Sequence, residues 1–210
     1  MLKLFYGSNT CALAAHIALN ETGGAFDLVK VDTQKGEQRT PDYLAINPKS
    51  RVPALATDRG ILTEVPALLS YIAQSFPEAA LAPADSFDLH RMQSFNLYLA
   101  STIHITFAHL FRPERYADSD AAKADMKAKV AGNLATQLGL IEEQLSDGRD
   151  WVHGAAYTTS DPYLYVFARW LERDGAGGIG AFPRLAAHRA RVQARPAVLK
   201  SLEQEGIAPV

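Results

Sequence analysis

Along the first third of the chain the spacing of apolar residues switches repeatedly between the two-residue period of strands and the 3.6-residue period of helices. Leu2 to Tyr6 and Phe26 to Asp32 read as strands. Between them Cys11 to Leu19 reads as a helix closed by Gly23-Gly24, so the start of the chain is a βαβ unit whose crossover is right-handed. A short helix follows from Pro41 to Ile46. Then come a strand from Pro53 to Thr57, a turn at Asp58-Arg59-Gly60, and a strand from Ile61 to Thr63 that pairs with it as an antiparallel hairpin. A helix from Glu64 to about Ser75 completes the order βαβαββα. From Phe76 to Ser86, two prolines and a run of small residues read as a linker. The expected division is 1–76, a linker at 77–86, and 87–210. Beyond the linker the strand signals vanish. Met126, Val130, Leu134, Leu138, Ile141 and Leu145 form one stripe on a long helix, and further helices are expected over 86–112, 160–173, 183–194 and 196–204. The second domain is therefore expected to be all-helical.

Composition narrows the partners. The 210 residues are 48% hydrophobic and 21% charged, the profile of a globular chain with a sizeable core. Twenty-one Lys+Arg against 23 Asp+Glu leave a net charge of −2, with no basic excess to draw a nucleic-acid backbone or an anionic membrane. The apolar start of the chain breaks at Gly7, too early for a signal-peptide core, and no apolar run is long enough for a bilayer. One cysteine, Cys11, excludes internal disulfides and Cys-based zinc clusters. A cytoplasmic protein is expected.

Candidate chemistry sits at element boundaries. Cys11 lies where the first strand turns into a helix; helix N–H groups there lower a thiol pKa, so Cys11 is either a nucleophile or a small buried apolar residue. Pro53 opens a strand. A cis bond before it would turn the Val52 backbone outward toward an extended peptide ligand, and a trans bond would merely begin an edge strand. Thr63-Glu64-Val65-Pro66 starts a helix whose free N–H groups could hold a carboxylate while Glu64 accepts from an ammonium; alternatively Glu64 is an acid favourably placed in a first helical turn.

Thr158 to Asp161 reads as a structural capping box, with Thr158 and Thr159 both candidates for the cap. Gly175, Gly177 and Gly180 match a dinucleotide-binding spacing but follow a helix rather than a strand, so they read as a loop. His104 and His109 project about 140° apart on a helix, and no metal site is expected. Arg189, Arg191 and Arg195 read as a solvated face.

Taken in order, Lys3-Leu4-Phe5-Tyr6, Cys11-Ala-Leu-Ala-Ala-His-Ile, Asn47-Pro48-Lys49 leading to Val52-Pro53-Ala54-Leu55, and Leu62-Thr63-Glu64 resemble glutathione transferases, specifically the bacterial beta class. So do His104-Ile-Thr-Phe107, Leu110 to Pro113, Thr158 to Asp161, and Arg169-Trp170. The resemblance spans essentially the whole chain. It implies a thioredoxin-like N-terminal domain that binds glutathione as co-substrate, an all-α C-terminal domain shaping a pocket for small electrophiles, and a homodimer. It further implies a cis Pro53, backbone pairing at Val52, and a γ-glutamyl end held by Glu64 and Val65. Lys35 would face the glycine carboxylate, with Arg51 also among the glutathione-binding residues. Cys11 would lie beside the glutathione sulfur, with His104 and Ser101 approaching from the second domain. Phe107 and Phe111 would line the acceptor pocket, and Tyr6 and Ser8 are alternative hydroxyls for the thiolate.

Departures are also visible. Gly7-Ser8-Asn9-Thr10 stands where the family commonly has Pro-Gly, Val65 replaces a serine at a cost on the order of 1 kcal/mol, and Leu97 and Ile105 replace an Asn and a Lys. Three activities fit: thiolate transfer, monothiol disulfide exchange through Cys11, and non-catalytic glutathione binding.

Overall fold

The computed structural model describes residues 1–210. Strand β1 (Leu2–Tyr6) lies between β2 (Phe26–Lys30), with which it runs parallel, and β3 (Ala54–Thr57), with which it runs antiparallel. β4 (Gly60–Thr63) pairs antiparallel with β3, giving the order β2-β1-β3-β4. Leu4 stands opposite both Leu28 and Leu55, so the centre of the sheet is aliphatic. The helices of this half are α1 (Ala12–Thr22), α2 (Pro41–Ile46) and α3 (Val65–Ser75). This is the thioredoxin-like arrangement.

Helix α1 is buried on all sides from Ala12 to Leu19, as its nearly continuous apolar sequence requires. The sheet and α3 cover part of it. The rest is covered by two helices of the second half, α7 (Ser160–Trp170) and α9 (Pro196–Glu205). It ends at Gly23, whose φ of 69° suits glycine and whose N–H caps Asn20. At its one buried polar position, His16 places Nδ1 3.0 Å from Glu205 and Nε2 2.9 Å from Gln204, both on α9.

Residues 76–85 hold one short 3₁₀ turn, Pro77–Ala79, and the regular elements after it are all helices, with an isolated bridge between Trp151 and Gly154 in the loop before α7. α4 (Ser86–Tyr98) and α5 (His104–Phe111) are joined by a π-helical turn, Leu99–Ile103, in which the His104 N–H reaches back to Leu99. The helix expected over 86–112 is thus interrupted without a proline or glycine. An extra residue is accommodated in the turn, which changes the phase of everything after it. α6 (Asp120–Gln144) buries Val130, Leu134, Leu138 and Ile141, and its start is capped by Ser119. α7 is wholly buried, with α8 (Pro183–Gln193) packed on it. No helix is long and apolar enough to cross a membrane.

Two local expectations are corrected. The capping box at 158–161 forms only in half. The Asp161 carboxylate accepts from the Thr158 N–H at 2.8 Å, but the Thr158 hydroxyl accepts from Ser160, while the Asp161 N–H goes to the Thr158 carbonyl. The released oxygen of Asp161 instead binds the Val152 N–H and lies 2.8 Å from His188 Nε2. The C-terminal arginines are not simply a solvated face. Arg195 forks onto Glu21 of α1 at 2.6 and 2.9 Å with its guanidinium 3.8 Å from the Tyr157 ring centre, Arg189 pairs with Glu172, and Arg191 donates to the Asp150 carbonyl.

Candidate active site

Two adjoining cavities, of about 210 and 370 Å³, open between the halves of the molecule. Cys11, Arg51, Val52 and His104 line both, which makes their junction the chemical centre of the cleft. The turn leading to Cys11 is closed by Thr10, whose hydroxyl donates to the Gly7 carbonyl at 2.7 Å and accepts from the Ala12 N–H at 3.2 Å. A hydroxyl thus shapes this loop in the absence of a Pro-Gly pair. Opposite it, Tyr43 and Asn47 both donate to the Arg51 carbonyl at 2.7 Å and fix the approach to Val52. The Val52–Pro53 bond is cis, and the Val52 N–H has no partner within the protein.

The second cavity carries Glu64 and Val65 at the start of α3. Glu64 has φ 73°, in the left-handed region where a side chain costs about 1–3 kcal/mol, and it pairs with Lys49 at 2.6 Å. The Val65 N–H, in the first helical turn, has no acceptor. A carboxylate acceptor therefore stands beside a free N–H donor, the pair of groups that an amino-acid end requires.

The electrostatics of Cys11 overturn the expectation of a low thiol pKa. Only 7% exposed, Cys11 is pushed up to about 12, chiefly by burial, with Glu64 adding to the effect; its own backbone N–H and Arg51 pull the other way without prevailing. Its thiol donates to the Val52 carbonyl at 3.7 Å. His104 moves oppositely, down to about 4, because burial and then Arg51 and Arg115 disfavour a second positive charge. Both groups are neutral hydrogen-bonding partners at neutral pH.

Several residues named from the sequence lie elsewhere. Tyr6 is buried against His16, its ring 5.7 Å away, because the strand pleat sends Leu4 and Tyr6 to the α1 face; its hydroxyl pKa is raised by burial and by Glu205. Ser8 lines the first cavity but donates its hydroxyl to the Glu205 carbonyl. Lys35 stands outside the lining, exposed and 3.4 Å from Asp32, while its neighbour Gln34 lines the cavity. Ser101, on the π turn, is exposed and bonded to the Leu97 carbonyl. Phe107 is fully buried in a stack with Phe111 and Phe167, and of the two phenylalanines only Phe111 reaches the cleft.

Sequence reasoning missed Trp170, Arg112, Arg115 and Arg173 as cleft residues. Arg112 and Trp170 stand in segments that carry the resemblance, but nothing local to them marks a shared wall. No cluster of three or more His, Cys, Asp or Glu side chains is arranged to hold a metal ion.

A thioredoxin-like domain with a cleft against an all-helical domain is the architecture of the glutathione transferase fold. Comparison with known proteins identifies the family directly. Residues 1–74 match the glutathione S-transferase N-terminal domain, and residues 98–196 match the glutathione S-transferase C-terminal domain. The chain is 36% identical to the glutathione S-transferase GstA of Escherichia coli O157:H7, over 98% of this chain and all of that one. Among solved structures, a glutathione transferase homologue from Sulfitobacter with bound glutathione superposes with a TM-score of 0.91 at 38% identity, covering 99% of each chain. A bacterial beta class glutathione S-transferase from Sphingomonas chungbukensis does so with 0.85 at 38%, over 98% of this chain and all of that one. This chain belongs to the glutathione S-transferase family.

Proposed function

We propose that the cleft binds glutathione and transfers its sulfur to small, partly apolar electrophiles, as a bacterial beta class enzyme acting as a homodimer. The class and the ligand are supported by the beta class and glutathione-bound structures it resembles. The observation that carries the reading is the junction of the two cavities, where an unpaired Val52 N–H lies in the same lining as two neutral hydrogen-bonding side chains, Cys11 and His104.

Val52 pairs with the cysteinyl backbone, while Glu64 and the Val65 N–H hold the ammonium and carboxylate of the γ-glutamyl end. Arg51 faces the glycine carboxylate, with Gln34 in the same lining. The glutathione thiol gives its proton to solvent. Its thiolate is then stabilised by donation from the Cys11 S–H and a His104 N–H, and by the positive field of Arg51 and Arg115. The sulfur electron pair forms a C–S bond to the acceptor carbon, and the leaving group departs with the electrons of the bond it breaks. Phe111 and Trp170 supply the apolar wall on which the acceptor rests.

Cys11-centred disulfide exchange is not favoured, because a buried thiol near 12 supplies almost no thiolate at neutral pH. The test pairs calorimetry of glutathione binding with conjugation of 1-chloro-2,4-dinitrobenzene in wild type and Cys11→Ala. Saturable binding, and conjugation that survives in the variant within about tenfold, are expected. Absence of glutathione binding would overturn the reading, and loss of all transfer in a folded Cys11→Ala would overturn the auxiliary role of Cys11.

A further inference from the structure

The first cavity is lined by four arginines, Arg51, Arg112, Arg115 and Arg173, and by no aspartate or glutamate. Across both cavities Glu64 is the only acidic side chain, and Lys49 already occupies it. Elsewhere in the molecule Arg91, Arg149, Arg184, Arg189 and Arg195 each have a carboxylate within 4.0 Å, while Arg169 and Arg191 are held by carbonyl or hydroxyl oxygens and Arg39 and Arg59 stand alone. The four cleft arginines have no such carboxylate. Their mutual repulsion is felt: Arg115 is lowered by burial and then by Arg51 and Arg112, and Arg173 by burial and then by Arg112 and Arg169. Glu114, beside Arg115 in sequence, lies outside the lining.

This charge is set around an aromatic surface. The Arg173 guanidinium sits 4.8 Å from the Phe111 ring centre, Arg112 donates to the Phe111 carbonyl at 3.0 Å, and the rings of Phe111 and Trp170 meet edge to face at 5.5 Å. The Trp170 indole N–H is buried and has no acceptor in the protein. Glutathione offers one glycine carboxylate to this cavity, and Arg51, from the glutathione-binding half, is placed to take it. Arg112, Arg115 and Arg173 come from the helical domain and remain unmatched.

We infer that the acceptor site selects carboxylated aromatic electrophiles, with the ring on Phe111 and Trp170 and the carboxylate among Arg112, Arg115 and Arg173. The inference rests on the reading of the cleft as a glutathione-transfer site and names its acceptor class. Guanidinium forks recognise carboxylates with two donors each, and an unopposed cluster attracts the anion over distance as well as binding it.

The test compares 4-chloro-3-nitrobenzoate with its methyl ester, each rate divided by the uncatalysed rate with glutathione so that intrinsic reactivity cancels. In both, the C–S bond forms as chloride leaves with the C–Cl electron pair. Wild type is expected to favour the acid by about fivefold or more in kcat/KM, and 0.5 M salt to erase most of that preference. Arg112→Gln/Arg173→Gln is expected to bring the ratio toward one, and the corresponding lysine variants to keep part of it.

No preference in wild type would overturn the inference, as would a preference untouched in the glutamine variant. A rise in the KM for glutathione with the acid-to-ester ratio unchanged would also overturn it, by assigning these arginines to the glycine carboxylate. If neither chloride is turned over, the transfer reading fails on its own. Calorimetry of the unreactive 4-methyl-3-nitrobenzoate against its methyl ester, with and without S-methylglutathione, then decides: tighter binding of the acid supports the inference and equal binding sinks it.

Discussion

A thiol and an imidazole face the same cleft, and burial keeps each uncharged by opposite shifts. For Cys11 the consequence is low reactivity. A thiol near 12 holds roughly a thousandfold less thiolate at pH 7.5 than a free cysteine, so alkylation by iodoacetamide is expected to be slower than for free cysteine by about that factor. Alkylation as fast as in an unfolded control would show the thiol to be activated after all. For His104 the consequence appears in stability. The unfolded imidazole titrates near 6.5 and the folded one near 4, so between these values the unfolded chain binds more protons. The contribution of His104 is complete above about pH 6.5 and is lost as pH falls toward 4. Urea unfolding at pH 7 and pH 4.5 should show a loss on the order of 1–3 kcal/mol that is smaller in His104→Gln, and an identical pH dependence in the two proteins would refute the assignment.

Among the elements, α7 depends most on one side chain. Asp161 is fully buried and satisfies the N–H groups of Val152 and Thr158, the Thr158 hydroxyl and a contact with His188. Asp161→Ala strands all of these, so a loss of about 3–5 kcal/mol is expected in thermal or denaturant unfolding. A change below about 1 kcal/mol would mean that water replaces the carboxylate.

Most elements could be read from the chain because their apolar spacing is local: the β1–α1–β2 start, the β3–β4 hairpin and the stripe on α6 each announce themselves within a dozen or so residues. The half-formed box at Thr158 could be read only in part, since the second use of Asp161 depends on Val152 and His188 arriving from elsewhere. The thiol pKa could not be read at all. A helix start predicts a low value, and the burial that reverses it comes from residues distant in sequence. The arginine wall is likewise assembled from the α5 end and the α7 end, which share no sequence pattern.

At the scale of the whole molecule, the two halves are tied through a buried polar seam. Glu205 on α9 meets His16, accepts from the Asn9 N–H at 2.9 Å, and offers its carbonyl to Ser8, two residues of the loop that leads to Cys11. Asn20, Gln204 and the Arg195–Glu21 fork extend the seam. A substitution just behind the cleft wall should therefore be felt in the cleft. Glu205→Ala is expected to cost about 2–4 kcal/mol by leaving His16 and the Asn9 N–H without partners, and to raise the KM for glutathione several-fold with little change in kcat. Unaltered KM in a destabilised variant would confine the seam to a structural role.

The wide turn between α4 and α5 also sets how this scaffold tolerates length changes. A regular ladder could close there after excision of any one residue from Leu99 to Ile103, yet each residue of an α-helix carries about 100° of rotation. Shortening the backbone by that single unit would swing either Met92 and Phe95 out of their packing or the His104 imidazole out of the cleft it lines beside Phe167 and Trp170. Deletions in most surface segments are absorbed locally; here one would be transmitted as torque, so lineages descending from this chain are expected to vary in side chains across this turn while keeping its residue count fixed.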